Sequence, residues 1–192
     1  MPLTKINNRS LSGQVTNAQV PALEISKLPS GSVIQTDTNT LWGGRDFTSD
    51  ALTTSTSYIN LTGALSPNRV MQVSLNNVQS TSVLKFHYQV GLTYNSNGST
   101  NSWVNYNIWE TNAQKYVANT TDYSGSSDPY IVGVWTTTRH SGLFGFVHTT
   151  IAGQFSGNCT FQLRMKTNGN NWNYHWHSSR IPHTFSVMEI KA

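Results

Sequence analysis

One residue in three of this chain is serine, threonine or asparagine: 24 Thr, 23 Ser and 20 Asn among 192. These short side chains hydrogen-bond their own backbone, which weakens helices and favours turns, caps and, for threonine, strands. A helical protein is therefore not expected. Nor is a disordered one, because 36% of the chain is hydrophobic and six residues are tryptophan, enough to condense a core. Polarity is carried by uncharged groups, since only 10% of the residues are charged against roughly 25% in an average soluble domain.

The formal charge of +4 comes from 12 Lys+Arg set against 8 Asp+Glu. There is no basic run. The densest stretch, Arg164 and Lys166, alternates on one strand face and reads as solvated surface, so nucleic acid is not an expected partner. The single cysteine, Cys159, alternates with Phe161, Leu163 and Met165 and is expected to be a small buried hydrophobe. One cysteine makes no intrachain disulfide, and no cysteine cluster suggests zinc. The opening Met1-Pro-Leu-Thr-Lys-Ile-Asn-Asn-Arg9 lacks the apolar stretch of a signal peptide, and no run approaches the ~20 apolar residues of a membrane span. Synthesis in a cytoplasm, without membrane insertion, is the expectation.

The pattern changes near residue 40. Residues 1–40 hold short apolar pulses, among them Leu11, Val15, Val20, Leu23, Leu28 and Val33, with no aromatic residue before Trp42. Neither the 3.6-residue nor the two-residue period holds there, so the segment cannot enclose its own apolar surface. It is expected to be an extended stalk or attachment segment covered by other chains. Residues 41–192 read as a head built of strands bounded by Gly, Asn, Ser and Pro clusters. Thr81–Leu92 is the strongest, with Leu84, Phe86, Tyr88 and Val90 on its core face. Tyr58–Leu61, Arg69–Leu75, Trp103–Trp109, Tyr116–Val117, Tyr130–Thr138, Phe144–Ile151, Cys159–Met165, Trp172–His177 and His183–Ile190 follow the same logic. Strands at this spacing point to an all-β, antiparallel, jelly-roll-like β-sandwich.

Two segments carry a resemblance. Leu11-Ser-Gly-Gln-Val-Thr-Asn-Ala18 with Leu28-Pro-Ser-Gly-Ser-Val-Ile-Gln35 resembles the N-terminal connecting segments of tailed-bacteriophage fibre and virion proteins. Thr184-Phe-Ser-Val-Met-Glu-Ile190 resembles the closing strand of their heads. Between these ends the chain matches only in general style. The resemblance implies a trimeric virion protein whose head is similar in outline to the tumour-necrosis-factor and C1q type. Its N-terminal segment would contact other virion proteins.

Six residues, Trp103, Asn105, Trp109, Trp172, Tyr174 and Trp176, are candidates for ligand binding. Trp172, Tyr174 and Trp176 fall on one face of a strand, and Trp103 and Trp109 flank Asn105 and Asn107. Such aromatics serve core or subunit packing, or they form a platform on which the C–H faces of sugars stack while amides bond the hydroxyls. His175 and His177 face the other way. They are surface imidazoles or, as in some phage fibre tips, ligands for a metal ion on a threefold axis; no other cofactor is expected. Catalysis is not expected, because glycoside hydrolysis needs paired carboxylates. Of the eight acids only Glu110, Asp122 and Asp128 lie in the aromatic-rich middle, Glu189 reads as structural, and no nucleophile elbow appears.

The resemblance therefore implies a homotrimeric phage fibre or knob, located in the virion, whose head is expected to bind a host-surface receptor, a glycan by the reading of its aromatic residues. The alternative is a capsid or tail decoration protein that binds no receptor.

Overall fold

The computed structural model describes residues 24–42, 51–53, 57–60, 70–93, 102–118, 131–136, 141–167, 172–174 and 182–192. Among these residues there is one 3₁₀ turn, Ile25–Lys27, and no α-helix. The strands are β1 (Val33–Trp42), β2 (Ala51–Thr53), β3 (Ile59–Asn60), β4 (Gln72–Val78), β5 (Val83–Thr93) and β6 (Ser102–Glu110). They continue with β7 (Lys115–Tyr116), β8 (Val132–Thr136), β9 (Ser141–Thr149), β10 (Gly157–Thr167), β11 (Trp172–Tyr174) and β12 (Pro182–Ile190).

Every pairing is antiparallel, and the long strands pair in nested order: β1 with β12, β4 with β10, β5 with β9, and β6 with the short β7 and β8. This is a long hairpin rolled into two sheets, the jelly-roll wrap. One sheet runs β1-β12-β5-β9. In the other, β10 and β6 lie at the centre, β3 and β4 share the outer edge of β10, and β7 and β8 share that of β6. The strand β11 pairs with β2 in a separate ribbon.

The alternation read from the sequence fills the space between the sheets. Leu84, Phe86 and Tyr88 of β5 and Phe185 and Val187 of β12 meet Tyr106 and Ile108 of β6, Phe161, Leu163 and Met165 of β10, and Val73 and Leu75 of β4. The Phe86 ring lies 4.9 Å from Phe161, edge-on, and 6.1 Å from Phe185. Side chains buried this completely contribute about 1.5–3 kcal/mol each. Cys159 belongs to this core. Burial, with Glu110 and Glu189 nearby, pushes its thiol up to about 11, as suits a packing residue rather than a nucleophile.

The limit set between residues 40 and 41 falls inside β1, which belongs to the sandwich and pairs with β12 from Val33↔Ile190 to Trp42↔Pro182. The preceding residues 24–32 are tied to the C-terminus: Lys191 Nζ donates to the carbonyls of Ser26, at 2.9 Å, and Leu28, while Gly31 N–H donates to the Lys191 carbonyl at 2.7 Å. Residues 1–23 of the expected stalk lie outside the described residues.

Candidate functional site

Alternation along β10 sends Phe161, Leu163 and Met165 into the core and leaves Thr160, Gln162, Arg164 and Lys166 on the opposite face of the sheet. The register sets Gln162 against Trp109, Arg164 against Asn107 and Lys166 against Asn105 of β6. On the other side Arg164 pairs with Asn60 of β3, and beyond β6 Trp109 pairs with Tyr116 of β7. Four strands thus bring together residues spread over more than half the chain.

Their side chains form a continuous arch. Arg164 Nε donates to Asn60 Oδ1 at 2.8 Å while its guanidinium lies 4.5 Å from the centre of the Trp109 ring. Trp109 meets Tyr116 edge-on at 4.7 Å, and Tyr116 meets Tyr58 at 5.0 Å. Lys166 Nζ lies 5.1 Å from the centre of the Tyr58 ring. Tyr58 enters from the β3 side and Tyr116 from the β7 side, so their contact crosses β10 and β6. Each aromatic contact of this kind contributes about 0.5–1.5 kcal/mol beyond area burial, and each cation–π contact about 0.5–2 kcal/mol.

The arch accounts for the burial of polar groups on a face that does not belong to the core. Asn105 is 6% exposed, Asn107 0% and Lys166 3%. Asn107 clamps the chain after β7: its Nδ2 donates to the Ala118 carbonyl at 3.3 Å, and its Oδ1 accepts from Ala118 N–H at 3.4 Å. The expected amide pair beside Trp109 is therefore inside the arch, whereas Trp109, Tyr116, Tyr58, Asn60, Gln162 and Arg164 are half-buried and form its accessible rim. The reading of Arg164 and Lys166 as solvated surface is corrected in the same way, because both lie against aromatic rings.

Glu110 and Glu189 are both buried and hydrogen-bonded. Glu110 is buried, accepting the Thr160 N–H at 2.9 Å and the Ala113 N–H in the tight turn that follows. Glu189, also buried, accepts the Gln79 N–H at 2.8 Å and Gln35 Nε2 at 2.5 Å. Both carboxylates neutralise backbone donors rather than face an opening. Asp122 and Asp128 lie outside the described residues.

Of the residues singled out in the sequence, Trp109 is part of this arch, Asn105 lies buried on the same strand opposite Lys166, and Trp103 sits further along β6 opposite Trp135 of β8. Trp172 and Tyr174 lie in β11, opposite Thr53 and Ala51 of β2. Trp176, His175 and His177 lie outside the described residues, among which there is no group of three or more His, Cys, Asp or Glu suited to a metal. Tyr58, Asn60 and Tyr116 carry no motif. Only the pairing of β3 and β7 onto the central strands brings them to Trp109.

No protein-family model and no curated protein matches the chain. Among solved structures it is similar to the CBM22-1 xylan-binding domain from Paenibacillus barcinonensis Xyn10C, at 7% identity over 86% of this chain and 99% of that one, with a TM-score of 0.30.

Proposed function

We propose that this chain is a phage fibre or knob protein whose β-sandwich head binds a host-surface glycan through the Tyr58–Tyr116–Trp109 arch. The observation that carries the reading is the run of three half-buried rings, in steps of 4.7 and 5.0 Å, on a sheet face not used for the core. Pyranose rings present C–H faces to such rings, and Asn60 and Gln162 at the rim supply hydrogen-bonding groups for hydroxyls. The phrases at Leu11–Gln35 and Thr184–Ile190 support the virion assignment. Residues before Glu24 then serve as the link to other virion proteins. In a homotrimer each weak site is repeated three times, and avidity gives firm adsorption without new contacts.

The test is competition. Purified protein is expected to sediment as a trimer, to bind host cells, and to block adsorption of the phage that carries it, with Trp109→Ala weakening binding at least tenfold. Failure to bind host cells or their polysaccharide, with the fold intact by circular dichroism, would remove the receptor role and favour a decoration protein.

A further inference from the structure

The arch has a charge asymmetry that a neutral sugar does not require. Arg164 makes one side-chain hydrogen bond, from Nε to Asn60. Its two terminal amino groups have no protein partner among the described residues, although the residue is half-buried and its guanidinium carbon lies 4.5 Å from the centre of the Trp109 ring. Stacking occupies the face of a guanidinium and leaves its edge, a planar fork matched to a carboxylate or phosphate.

No carboxylate of the described residues meets that fork. Glu24 pairs with Lys27 at 3.3 Å, and Asp37 accepts the N–H groups of Ser74 and Thr38. Glu110 and Glu189 are buried on backbone donors. A second cation, Lys166, lies two residues along the same strand face. A partly desolvated positive site beside stacking rings attracts an anionic group on a ligand that also stacks.

We propose that the ligand of this arch is an acidic glycan whose carboxylate or phosphodiester is gripped by the edge of Arg164 while an adjacent sugar ring stacks on Trp109 and Tyr116. This rests on the glycan-binding reading above and narrows it to a ligand class. A single-stranded nucleic acid shares the ingredients of ring and anion, but among the described residues Arg164 and Lys166 are the bases of β10 on this face and form no track along which a phosphate backbone would run.

The experiment titrates the full chain with four probes: hexagalacturonate, its fully methyl-esterified form, glucosylated poly(glycerol phosphate) and an oligo-dT of similar length. Hexagalacturonate or glucosylated poly(glycerol phosphate) is expected to bind at least tenfold more tightly than the neutral ester, and the stronger of the two identifies carboxylate or phosphate as the source. Arg164→Met is expected to bring the acidic probe down to the affinity that the same variant has for the ester. Arg164→Lys, which keeps the charge and loses the fork, falls between. Lys85→Met, on the other sheet, removes the same charge and is expected to change nothing.

Equal binding of ester and acid overturns the acidic-ligand inference and leaves the glycan reading standing. An equal loss in Lys85→Met and Arg164→Met also overturns it, as attraction by net charge alone, and so does tightest binding of oligo-dT. Binding of no probe removes both the inference and the glycan reading.

Discussion

The Asp37 carboxylate, on the edge strand β1, accepts a hydrogen bond from the backbone N–H of Ser74 on β4 at 2.6 Å. These strands belong to different sheets, and side chains join them where a backbone ladder would otherwise be. Gln35 bonds the N–H and carbonyl of Asn76, and Asn39 donates to the carbonyls of Val70 and Gln72. Three polar residues at alternate positions of β1 thus satisfy the open edge of β4, which removes a template for pairing with other chains. Asp37→Ala is expected to leave the Ser74 N–H without this acceptor and to cost about 1 kcal/mol. Asp37→Asn, which keeps an acceptor oxygen, should cost less. Urea unfolding of both variants checks this, and a wild-type midpoint for Asp37→Ala would refute the seam's contribution.

The same seam explains what the sequence concealed. Strands whose inner faces are apolar, such as Leu84-Phe86-Tyr88 and Phe161-Leu163-Met165, were legible from alternation alone. In β1 the positions turned toward β4 are Gln35, Asp37 and Asn39, so the two-residue period is carried by hydrogen-bonding residues and hydrophobicity shows nothing. The candidate site was legible in part for a related reason. Trp109 and Asn105 stand out by type and spacing along one strand. Tyr58, Asn60, Tyr116 and Arg164 join them through cross-strand register, which depends on which strands pair and is written nowhere in their local sequence.

His183 gives the fold a sensitivity to acid. It is 1% exposed, and burial pushes its imidazole down to about 3 from the usual 6.5. Between those values the unfolded chain binds a proton that the native state does not. Stability present above pH about 6.5 is therefore lost as the pH falls toward 3, by up to about 1.4 kcal/mol per pH unit. Urea midpoints for wild type and His183→Gln between pH about 6.5 and 5 separate this contribution from that of the carboxylates. The variant should show the flatter profile, although half-buried His148, also lowered by burial, adds a smaller dependence of the same sign.

The Tyr88 hydroxyl is buried with no hydrogen-bond partner among the described residues, and desolvation, with Tyr106 beside it, holds its pKa well above 10.0. The ring itself packs against Phe146 at 5.4 Å and Phe185 at 6.3 Å. Tyr88→Phe keeps those contacts and removes a polar group whose desolvation is uncompensated. Stability is expected to stay level or rise by up to about 1 kcal/mol. A clear drop in melting temperature would show that the hydroxyl is bonded.

Two left-handed glycines distinguish strain from crowding. Gly31 has φ +84° and open space where a side chain would be, whereas Gly153 has φ +72° and a Cβ there would sit 2.6 Å from the Ser80 carbonyl oxygen. Gly31→Ala is expected to lose about 1 kcal/mol from backbone conformation alone. Gly153→Ala should lose more, because the turn after β9 must also move away from Ser80. Equal losses in the two variants would mean that the backbone there yields freely.

Tyr58 covers Lys166, whose amine lies 5.1 Å from the ring centre and whose side chain is 3% exposed in spite of facing away from the core. Removing the ring opens the arch at that end while leaving Trp109, Tyr116 and Arg164 in contact with one another. Tyr58→Ala is therefore expected to raise the rate of acylation at Lys166 severalfold, read by peptide mass spectrometry, with exposed Lys27 as the internal reference. A ligand seated on the arch should slow labelling of the variant again, since it would occupy the space the tyrosine left. Unchanged labelling in Tyr58→Ala would place the cover of Lys166 elsewhere and detach that residue from the binding face.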